Sequence, residues 1–99
     1  MKHKVGAGIA VSWFRNSGIE TTISSIHWAF RTYQMVIVVP GSLSTFGGAG
    51  LSSLWGIGDF DPKDKHQVLK NEYGLMTARS TARSMLELAR IVKAGKAHV

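Results

Sequence analysis

The stretch Lys4-Val-Gly-Ala-Gly-Ile-Ala-Val-Ser-Trp-Phe14 decides the fold class of this chain. Its apolar residues follow one another without alternating with polar ones. That pattern is typical of a strand buried on both faces, as in a parallel sheet covered by helices. We therefore predict a strand over residues 4–14, in which Gly6 and Gly8 allow close packing.

A helix is predicted directly after this strand, over residues 18–32. Arg15-Asn-Ser-Gly18 has the composition of a turn, and Ser17 with Glu20 three residues later forms a capping-box sequence. Apolar residues then recur at helical spacing, at Ile19, Ile23, Ile26, Phe30 and Tyr33. This spacing predicts an amphipathic helix that packs on the sheet.

A second strand follows the helix, over residues 35–39. Met35-Val-Ile-Val-Val39 is short, apolar and rich in β-branched residues, and Pro40 and Gly41 end it. A strand–helix–strand unit of this kind is almost always a right-handed crossover between parallel strands. The chain up to Pro40 therefore predicts a parallel α/β unit.

The rest of the chain predicts a loop and then a helical region. Residues 40–61 are rich in Gly and Ser, contain Gly47-Gly-Ala-Gly50 and are expected to form a long functional loop. Asp61-Pro-Lys-Asp64 combines a cap, a proline for the first helical position and acids for the first turn. A helical region is therefore predicted over residues 62–94, with Gly95 as its stop. Its apolar stripe comprises Leu75, Ala78, Ala82, Met85, Leu86, Ala89 and Val92.

The composition limits the kinds of protein and cofactor that this chain can represent. It has 99 residues, of which 44% are hydrophobic, so it forms one small globular domain at most. It has no Cys, so it holds no thiolate zinc site and no cysteine-ligated iron–sulfur cluster. The absence of Cys also fits a reducing cytoplasm. The His residues are scattered without ligand spacing, and no metal is expected.

The net charge of +6 bears on possible partners. A solvated basic helix face is favoured over a nucleic-acid patch, because Tyr73 is the only aromatic residue near the C-terminal basic residues. Residues 32–58 lack charge, but Pro40 and several Gly, Ser and Thr interrupt the apolar run. Neither nucleic-acid binding nor a membrane span is expected.

Residues 4–27 and 35–39 carry a resemblance to a known family. Gly18-Ile-Glu-Thr-Thr-Ile23 is similar to the Gly-x-Glu-x-Thr-Ile sequence that opens a helix in the NADPH-dependent FMN reductase superfamily. Gln34-Met-Val-Ile-Val38 is similar to the Gly-Met-Val-Ile-Val strand of that family. Within it, the chain most resembles the Trp-repressor-binding-protein type of NAD(P)H:quinone oxidoreductase, followed by the iron–sulfur flavoproteins. The resemblance covers the flavodoxin-like fold from its fourth strand onward.

This resemblance implies FMN as a cofactor, NAD(P)H as electron donor and a quinone or similar small molecule as acceptor. In the family the turn after the fourth strand lies along the flavin ring. The implied FMN-binding residues are Ser12, Trp13, Phe14, Arg15, Asn16, Ser17 and Gly18, with Thr32 nearby. This place fits the physics of such sites, because open α/β sheets bind ligands at the carboxyl ends of their strands. No catalytic residue can be named, since no nucleophile with a base is visible and the redox chemistry would be the cofactor's own.

Several of these residues also have simpler interpretations. Ser17 is expected to cap the helix in any case. Arg15 is as consistent with a solvated turn residue as with a flavin contact, and Trp13 and Phe14 fit burial in an interface slightly better than ring stacking. His27 is expected on the polar surface of its helix.

The expected fold class is thus α/β, a partial flavodoxin-like fold of order β-α-β-α with parallel strands. The missing N-terminal half holds the FMN phosphate in the family, and Gly47-Gly-Ala-Gly50 is not expected to replace it, because it lacks a preceding strand and a following helix. We expect a separate chain with the N-terminal half, or a homo-oligomer, to complete the site. The alternative is a non-catalytic oligomeric fragment, and a third hypothesis is a basic adaptor for nucleic acid or membrane.

Overall fold

The computed structural model describes residues 2–41, 46–53, 56, 58 and 66–99. In this part of the chain, short parallel strands are flanked by two α-helices, which confirms the α/β class and is consistent with a partial flavodoxin-like fold. In order, the elements are β1 (Val5–Gly6), β2 (Ile9–Ser12), α1 (Ile19–Thr32), β3 (Val36–Ile37), β4 (Gly48–Leu51), a 3₁₀ turn (Gln67–Lys70) and α2 (Glu72–Lys96). No helix in the described residues combines the length and the apolar character needed to cross a membrane.

The two strand pairs form one layer, because β1 and β2 both belong to the extended segment of residues 5–12. β1 and β2 follow one another along the chain, β3 is parallel to β1, and β4 is parallel to β2. The backbone carbonyls of Lys4 and Gly6 accept hydrogen bonds from N–H groups in β3 and directly after it. The carbonyls of Gly8 and Ser12 accept from the N–H groups at the start of β4 and directly after it. Peptide groups two residues apart point to the same edge of a strand. β3 and β4 therefore lie one after the other along the same edge.

Helix α1 covers one face of this layer. A Cβ added at Gly6 would lie 3.0 Å from the Phe30 ring, and one added at Gly8 would lie 3.4 Å from Ile23. Ile23 is almost completely buried, and Ala10 and Val38 complete the apolar core of the described residues. The glycines of the first strand thus let the helix approach closely, as the sequence predicts.

The prediction of a loop over the whole of residues 40–61 is wrong, because Gly48–Leu51 forms β4. Glycines usually disfavour strands, but here they remove side chains from a crowded place. A Cβ at Gly47 would overlap the carbonyl oxygen of Gly8, and one at Gly48 would lie 2.8 Å from Ile9. The remainder of the predicted loop lies largely outside the described residues, as does the predicted helix start at residues 61–64.

The predicted capping box at the start of α1 is wrong. The N-cap residue is Gly18, with φ of 89°, and no side chain that the structure describes caps the helix. The carbonyl of Gly18 accepts from Thr22 at 2.9 Å and closes the first turn. Ser17 stands one residue too early to cap, because the chain enters the helix through a left-handed residue that only glycine adopts without strain.

The predicted apolar stripe of α2 is displaced from the face that packs. Gly74, Thr77 and Thr81 are buried, whereas Ala82, Met85, Leu86 and Ala89 of the predicted stripe are exposed. Threonines can be buried here because their hydroxyls are hydrogen-bonded, Thr77 to the Gly74 carbonyl at 2.7 Å and Thr81 to the Thr77 carbonyl at 2.7 Å. Gly95 does not stop the helix, which continues to Lys96 with Gly95 in helical conformation.

Candidate functional site

A groove of about 800 Å³ opens at the carboxyl ends of β2 and β4. Its walls are the turn after β2, the first turn of α1, Phe46 before β4 and the start of α2 with Asn71 and Tyr73. Ligand sites in open α/β sheets lie at this end of the strands, and the volume is within the usual range for small-molecule sites. The groove is therefore the candidate site.

The turn after β2 is held in place by hydrogen bonds to the segment after β4. The Ser12 hydroxyl donates to the carbonyl of Phe14 at 2.6 Å, and the Ser53 hydroxyl donates to the carbonyl of Trp13. The backbone N–H of Arg15 donates to Gly56 at 2.7 Å. These contacts give the turn a defined shape at the edge of the groove.

The first turn of α1 presents backbone donors to the groove. Ile19, Glu20 and Thr21 all line it, and the first N–H bonded within the helix is that of Thr22. Because no side chain among the described residues caps α1, these donors and the positive end of the helix dipole favour a ligand with carbonyl or negatively charged oxygens. Arg15 adds a positive charge to the groove and Glu20 a negative one.

Two aromatic side chains and one orphaned amide oxygen complete the groove. Phe46 and Tyr73, from opposite sides of β4 in the chain, are each 53% exposed while lining it. The Oδ1 atom of Asn71 is buried and has no hydrogen-bond partner among the described residues. A planar ligand would match the aromatic part of this lining, because rings stack on aromatic faces.

The structure brings some of the predicted binding residues together in this groove and leaves others elsewhere. Arg15, Asn16 and Gly18 line it, whereas the Ser12 hydroxyl is used within the turn. Trp13, Phe14 and Ser17 are exposed beside the groove without lining it.

Thr32 does not join the other predicted residues. It is the last residue of α1, so the length of the helix, about 20 Å at 1.5 Å per residue, separates it from Gly18. Its hydroxyl donates to the carbonyl of Trp28 at 3.1 Å. The structure therefore places Thr32 at the opposite end of the helix from the groove.

Sequence reasoning missed Phe46, Asn71 and Tyr73. Each lies far along the chain from the turn at residues 12–18, and none belongs to a recognisable binding motif. Asn71 carried a weak signal, because Asn before Glu72 is a typical residue at a helix start. Only the pairing of β4 with β2 brings these residues to the groove.

His27, which the sequence predicts on the polar surface of its helix, is partly buried and lies beside the backbone of Phe46. Burial and the nearby charge of Arg31 lower the pKa of His27, while a hydrogen bond to the backbone of Phe46 partly opposes them. Its Nε2 atom is buried and has no partner among the described residues. The contact between His27 and the backbone of Phe46 links α1 to the segment before β4. In the described part of the chain, no three His, Asp or Glu side chains cluster as metal ligands would.

Comparison with curated proteins finds two relatives, each named as an iron–sulfur flavoprotein. The one from Methanocaldococcus jannaschii is 32% identical over 94 residues, which are 94% of this chain and 44% of the relative. The one from Methanosarcina thermophila is 30% identical over 93 residues, which are 94% of this chain and 40% of the relative. The chain thus spans less than half the length of these relatives. No protein-family model matches the chain, and no solved structure matches it.

These similarities support a relationship to flavodoxin-like flavoproteins. They extend over almost the whole chain, so they include the turn after β2, β4 and α2. Because this chain has no Cys, it cannot provide thiolate ligands for a cluster.

Proposed function

We propose that this chain forms part of the flavin site of an FMN-binding, NAD(P)H-dependent oxidoreductase of the quinone-reductase or flavin-reductase type. The observation that carries the proposal is the groove itself. It joins the turn residues Arg15, Asn16 and Gly18 to the uncapped N-terminus of α1. The two relatives named as flavoproteins support a flavin as the ligand.

The residues of the groove fit a flavin ring. The N–H groups of Ile19–Thr21 can donate to the carbonyl edge of a ring, and Phe46 and Tyr73 offer aromatic faces beside it. No atom in the described part of the chain lies within 4 Å of the position that a Cβ of Gly18 would occupy, so a ligand can approach the backbone there. Asn71 also lines the groove, and its side-chain amide is of a type that can hydrogen-bond to a ring edge.

FMN would supply the electron-transfer chemistry when bound. The chain's own contribution is electrostatic and positional. Arg15 and the positive end of α1 favour negative charge at the groove, which accompanies reduction of a flavin. Glu20 sits at the same helix end and limits this effect.

The proposed site needs a second contribution for the phosphate of FMN. Gly47–Gly50, the glycine-rich sequence of the chain, leads into and forms most of β4 and is not a phosphate-binding loop. Among the described residues, Arg15 is the one lysine or arginine that lines the groove. We propose that a complementary chain or an oligomer provides the phosphate site. Thr32 is left out of the flavin site because of its position.

Flavin binding by purified protein tests this function. The chain is prepared alone and as a fusion in which the part of the Methanocaldococcus jannaschii relative outside the match precedes it. We expect the fusion to bind FMN, detected by flavin absorbance and by quenching of FMN fluorescence, and NADPH to bleach that absorbance under anaerobic conditions. No FMN in either preparation would contradict the proposal.

Two matched variants localise the binding to the groove. Arg15→Ala removes the charge at the groove and is expected to weaken FMN binding about tenfold, since one charge-assisted contact contributes about 1.4 kcal/mol. Arg90→Ala removes a charge from the exposed part of α2 and is expected to leave FMN affinity unchanged. Equal losses in the two variants would indicate a general charge effect and would contradict the site.

A non-catalytic oligomeric fragment is the second candidate function. One edge of β2 pairs with no strand of the described residues, and this favours the second candidate, because exposed strand edges promote association. It predicts oligomers of the chain that contain no flavin and show no NAD(P)H oxidation.

A further inference from the structure

A second groove, of about 640 Å³, lies on the outer side of α2 near its start. Its described lining comes from the 3₁₀ turn and the first part of α2, and none of these residues lines the groove proposed for flavin. Thr77 and Thr81 are buried towards the sheet, and Arg79 and Arg83 stand about 200° around the helix from them, at 3.6 residues per turn. This second groove, which we call the arginine groove, therefore faces away from β4.

A four-residue repeat in the sequence builds this surface. Thr77-Ala-Arg-Ser80 is followed at once by Thr81-Ala-Arg-Ser84. Because residues four apart lie on the same side of a helix, the repeat buries both threonines and brings both arginines into the arginine groove. The two arginine side chains are thus neighbours, one turn apart on α2.

Arg79 and Arg83 concentrate positive charge in the arginine groove. Both are exposed, and neither forms an ion pair with a residue that the structure describes. Like charges at this spacing destabilise a helix slightly, and an anion bound between them would remove that repulsion. Guanidinium groups bind phosphate oxygens through paired N–H donors, so a phosphate group fits this end of the groove.

The other end of the arginine groove carries the opposite charge. Glu72 also lines it and lies seven residues before Arg79, which is about 10 Å along the helix axis at 1.5 Å per residue. Leu69 and Met76 supply apolar surface to the same groove, although they are 65% and 50% exposed. This lining fits a ligand with an anionic end, an apolar body and a hydrogen-bond donor at its far end.

We infer that the arginine groove binds an adenine nucleotide through a single phosphate group. Arg79 and Arg83 hold the phosphate, Leu69 and Met76 pack on the base, and the exocyclic amino group of adenine donates to Glu72. Apolar side chains pack on the faces of unpaired bases, and carboxylates accept hydrogen bonds from base amino groups. The inference goes beyond the proposed function and does not rest on it.

The position of Glu72 favours a small ligand over a nucleic acid or an anionic membrane. Those two partners carry rows of negative charges, so one of the charges would face the Glu72 carboxylate. An adenosine monophosphate carries its charge at one end only. Two sources share this chemistry: the adenosine 2′-phosphate end of NADPH, and a free adenosine monophosphate.

Nucleotide titration of the full chain, followed by NMR of its backbone amides, tests the site without FMN. We expect adenosine monophosphate to shift the signals of Met76, Arg79 and Arg83 in a saturable way. It should bind about tenfold more tightly than inorganic phosphate, because burial of the base adds to the phosphate contact. NADPH shifting these signals where NADH does not would identify the 2′-phosphate end as the source. Tighter binding of the 5′-monophosphate than of NADPH would identify a free nucleotide.

A matched pair of variants localises the phosphate. Arg79→Gln is expected to weaken adenosine monophosphate binding about tenfold, since it removes one charge-assisted contact. Arg90→Gln removes an exposed charge from α2 beyond the arginine groove and should leave the affinity unchanged. Because both side chains are exposed, both variants should stay folded, and circular dichroism checks this.

Inosine monophosphate tests the contact with Glu72. Its base carries a carbonyl oxygen where adenine carries the amino group, so the Glu72 carboxylate repels it. We expect inosine monophosphate to bind about tenfold more weakly than adenosine monophosphate, as for the loss of one hydrogen bond to a charged group. Glu72→Gln should remove this preference, because an amide can both donate and accept.

Four results would overturn the inference. The nucleotide could produce no saturable shifts, or inorganic phosphate could bind as tightly as the nucleotide, which would make the groove a site for any anion. Arg79→Gln and Arg90→Gln could lose equal affinity. A single-stranded oligonucleotide or an anionic lipid vesicle could shift the same signals at lower concentration than the monophosphate does. Flavin is measured separately, so a failure of FMN binding in the fusion would refute the proposed function and leave the arginine groove standing.

Discussion

Thr77 connects α2 to the outer edge of β4, and its substitution by Val measures that connection. Thr77 is completely buried. Its hydroxyl accepts from the backbone N–H of Ala49 at 3.0 Å and donates to the carbonyl of Gly74 at 2.7 Å. Val has nearly the same shape, so Thr77→Val removes these hydrogen bonds with little change in packing.

The cost follows from the groups that the substitution leaves behind. The carbonyl of Gly74 keeps its bond within the helix, but the N–H of Ala49 loses its partner at a partly buried place. An unsatisfied donor of this kind costs about 1–3 kcal/mol. With a urea dependence of about 2 kcal/mol per M, a loss of about 2 kcal/mol lowers the midpoint of urea unfolding by about 1 M.

Thr81→Val is the matched control. Thr81 is also buried, at 2% exposure, but its hydroxyl donates to the Thr77 carbonyl within α2. The loss of this hydroxyl leaves no N–H group of the sheet without a partner, so we expect the free energy of unfolding to fall by less than about 1 kcal/mol. Unfolding is followed by circular dichroism at constant pH. Equal midpoint shifts for the two variants would refute the claim that Thr77 joins the helix to the strand.

Three further outcomes follow from the same structure. Gly18→Ala should cost about 1–2 kcal/mol of unfolding free energy, because alanine is strained at a φ of 89°; Gly18→Asn should cost less, and equal urea midpoints for the two variants would count against backbone strain. Gly47→Ala places a methyl group on the carbonyl of Gly8 and should lower the thermal midpoint by several degrees, at about 4–8 °C per kcal/mol; an unchanged midpoint would mean that β4 does not pack there. Burial and Arg31 lower the pKa of His27 below 6.5, so the unfolded chain binds the proton more tightly than the folded one. The stability that a neutral His27 contributes is therefore complete above pH 6.5 and decreases as the pH falls from 6.5 towards the lower pKa of the folded state. Between about pH 7.5 and about pH 5.5, the midpoint of urea unfolding should fall more for the unsubstituted chain than for His27→Gln. Equal changes of the midpoint with pH in the two proteins would contradict this.

The extended segment at the start of the chain and α1 could be predicted because their signals are local, although the structure divides the strand predicted over residues 4–14 into β1 and β2. The unbroken apolar run from Val5 to Val11 and the helical spacing of Ile19, Ile23 and Ile26 depend on neighbouring residues alone. The turn at residues 15–18 was found for the same reason, since it is contiguous and follows a strand. The entry of the chain into α1 through Gly18 could not be predicted. The sequence Ser17-Gly-Ile-Glu20 matches a capping box, and it does not reveal that Gly18 takes the N-cap position in place of Ser17.

The glycines before and within β4 show why part of the fold could not be predicted. In isolation Gly47, Gly48 and Gly50 indicate a loop. In the structure Gly47 and Gly48 are required, because Gly8 leaves no room for a side chain at the first and Ile9 and Ala78 leave none at the second. That crowding exists only after residues far apart in the chain have been brought together.

By itself the sequence determined a parallel strand–helix–strand unit, its order along the chain and the turn that borders the candidate site. The tertiary structure alone decided that β4 continues the edge begun by β3 and that Phe46, Asn71 and Tyr73 share a groove with Arg15. It also decided that α2 buries Thr77 and Thr81 while most of its predicted apolar stripe is exposed. The physical reason is that periodicity records which residues of one element are apolar. Which partner an edge finds, and which polar groups can be buried, depend on hydrogen bonds between distant residues.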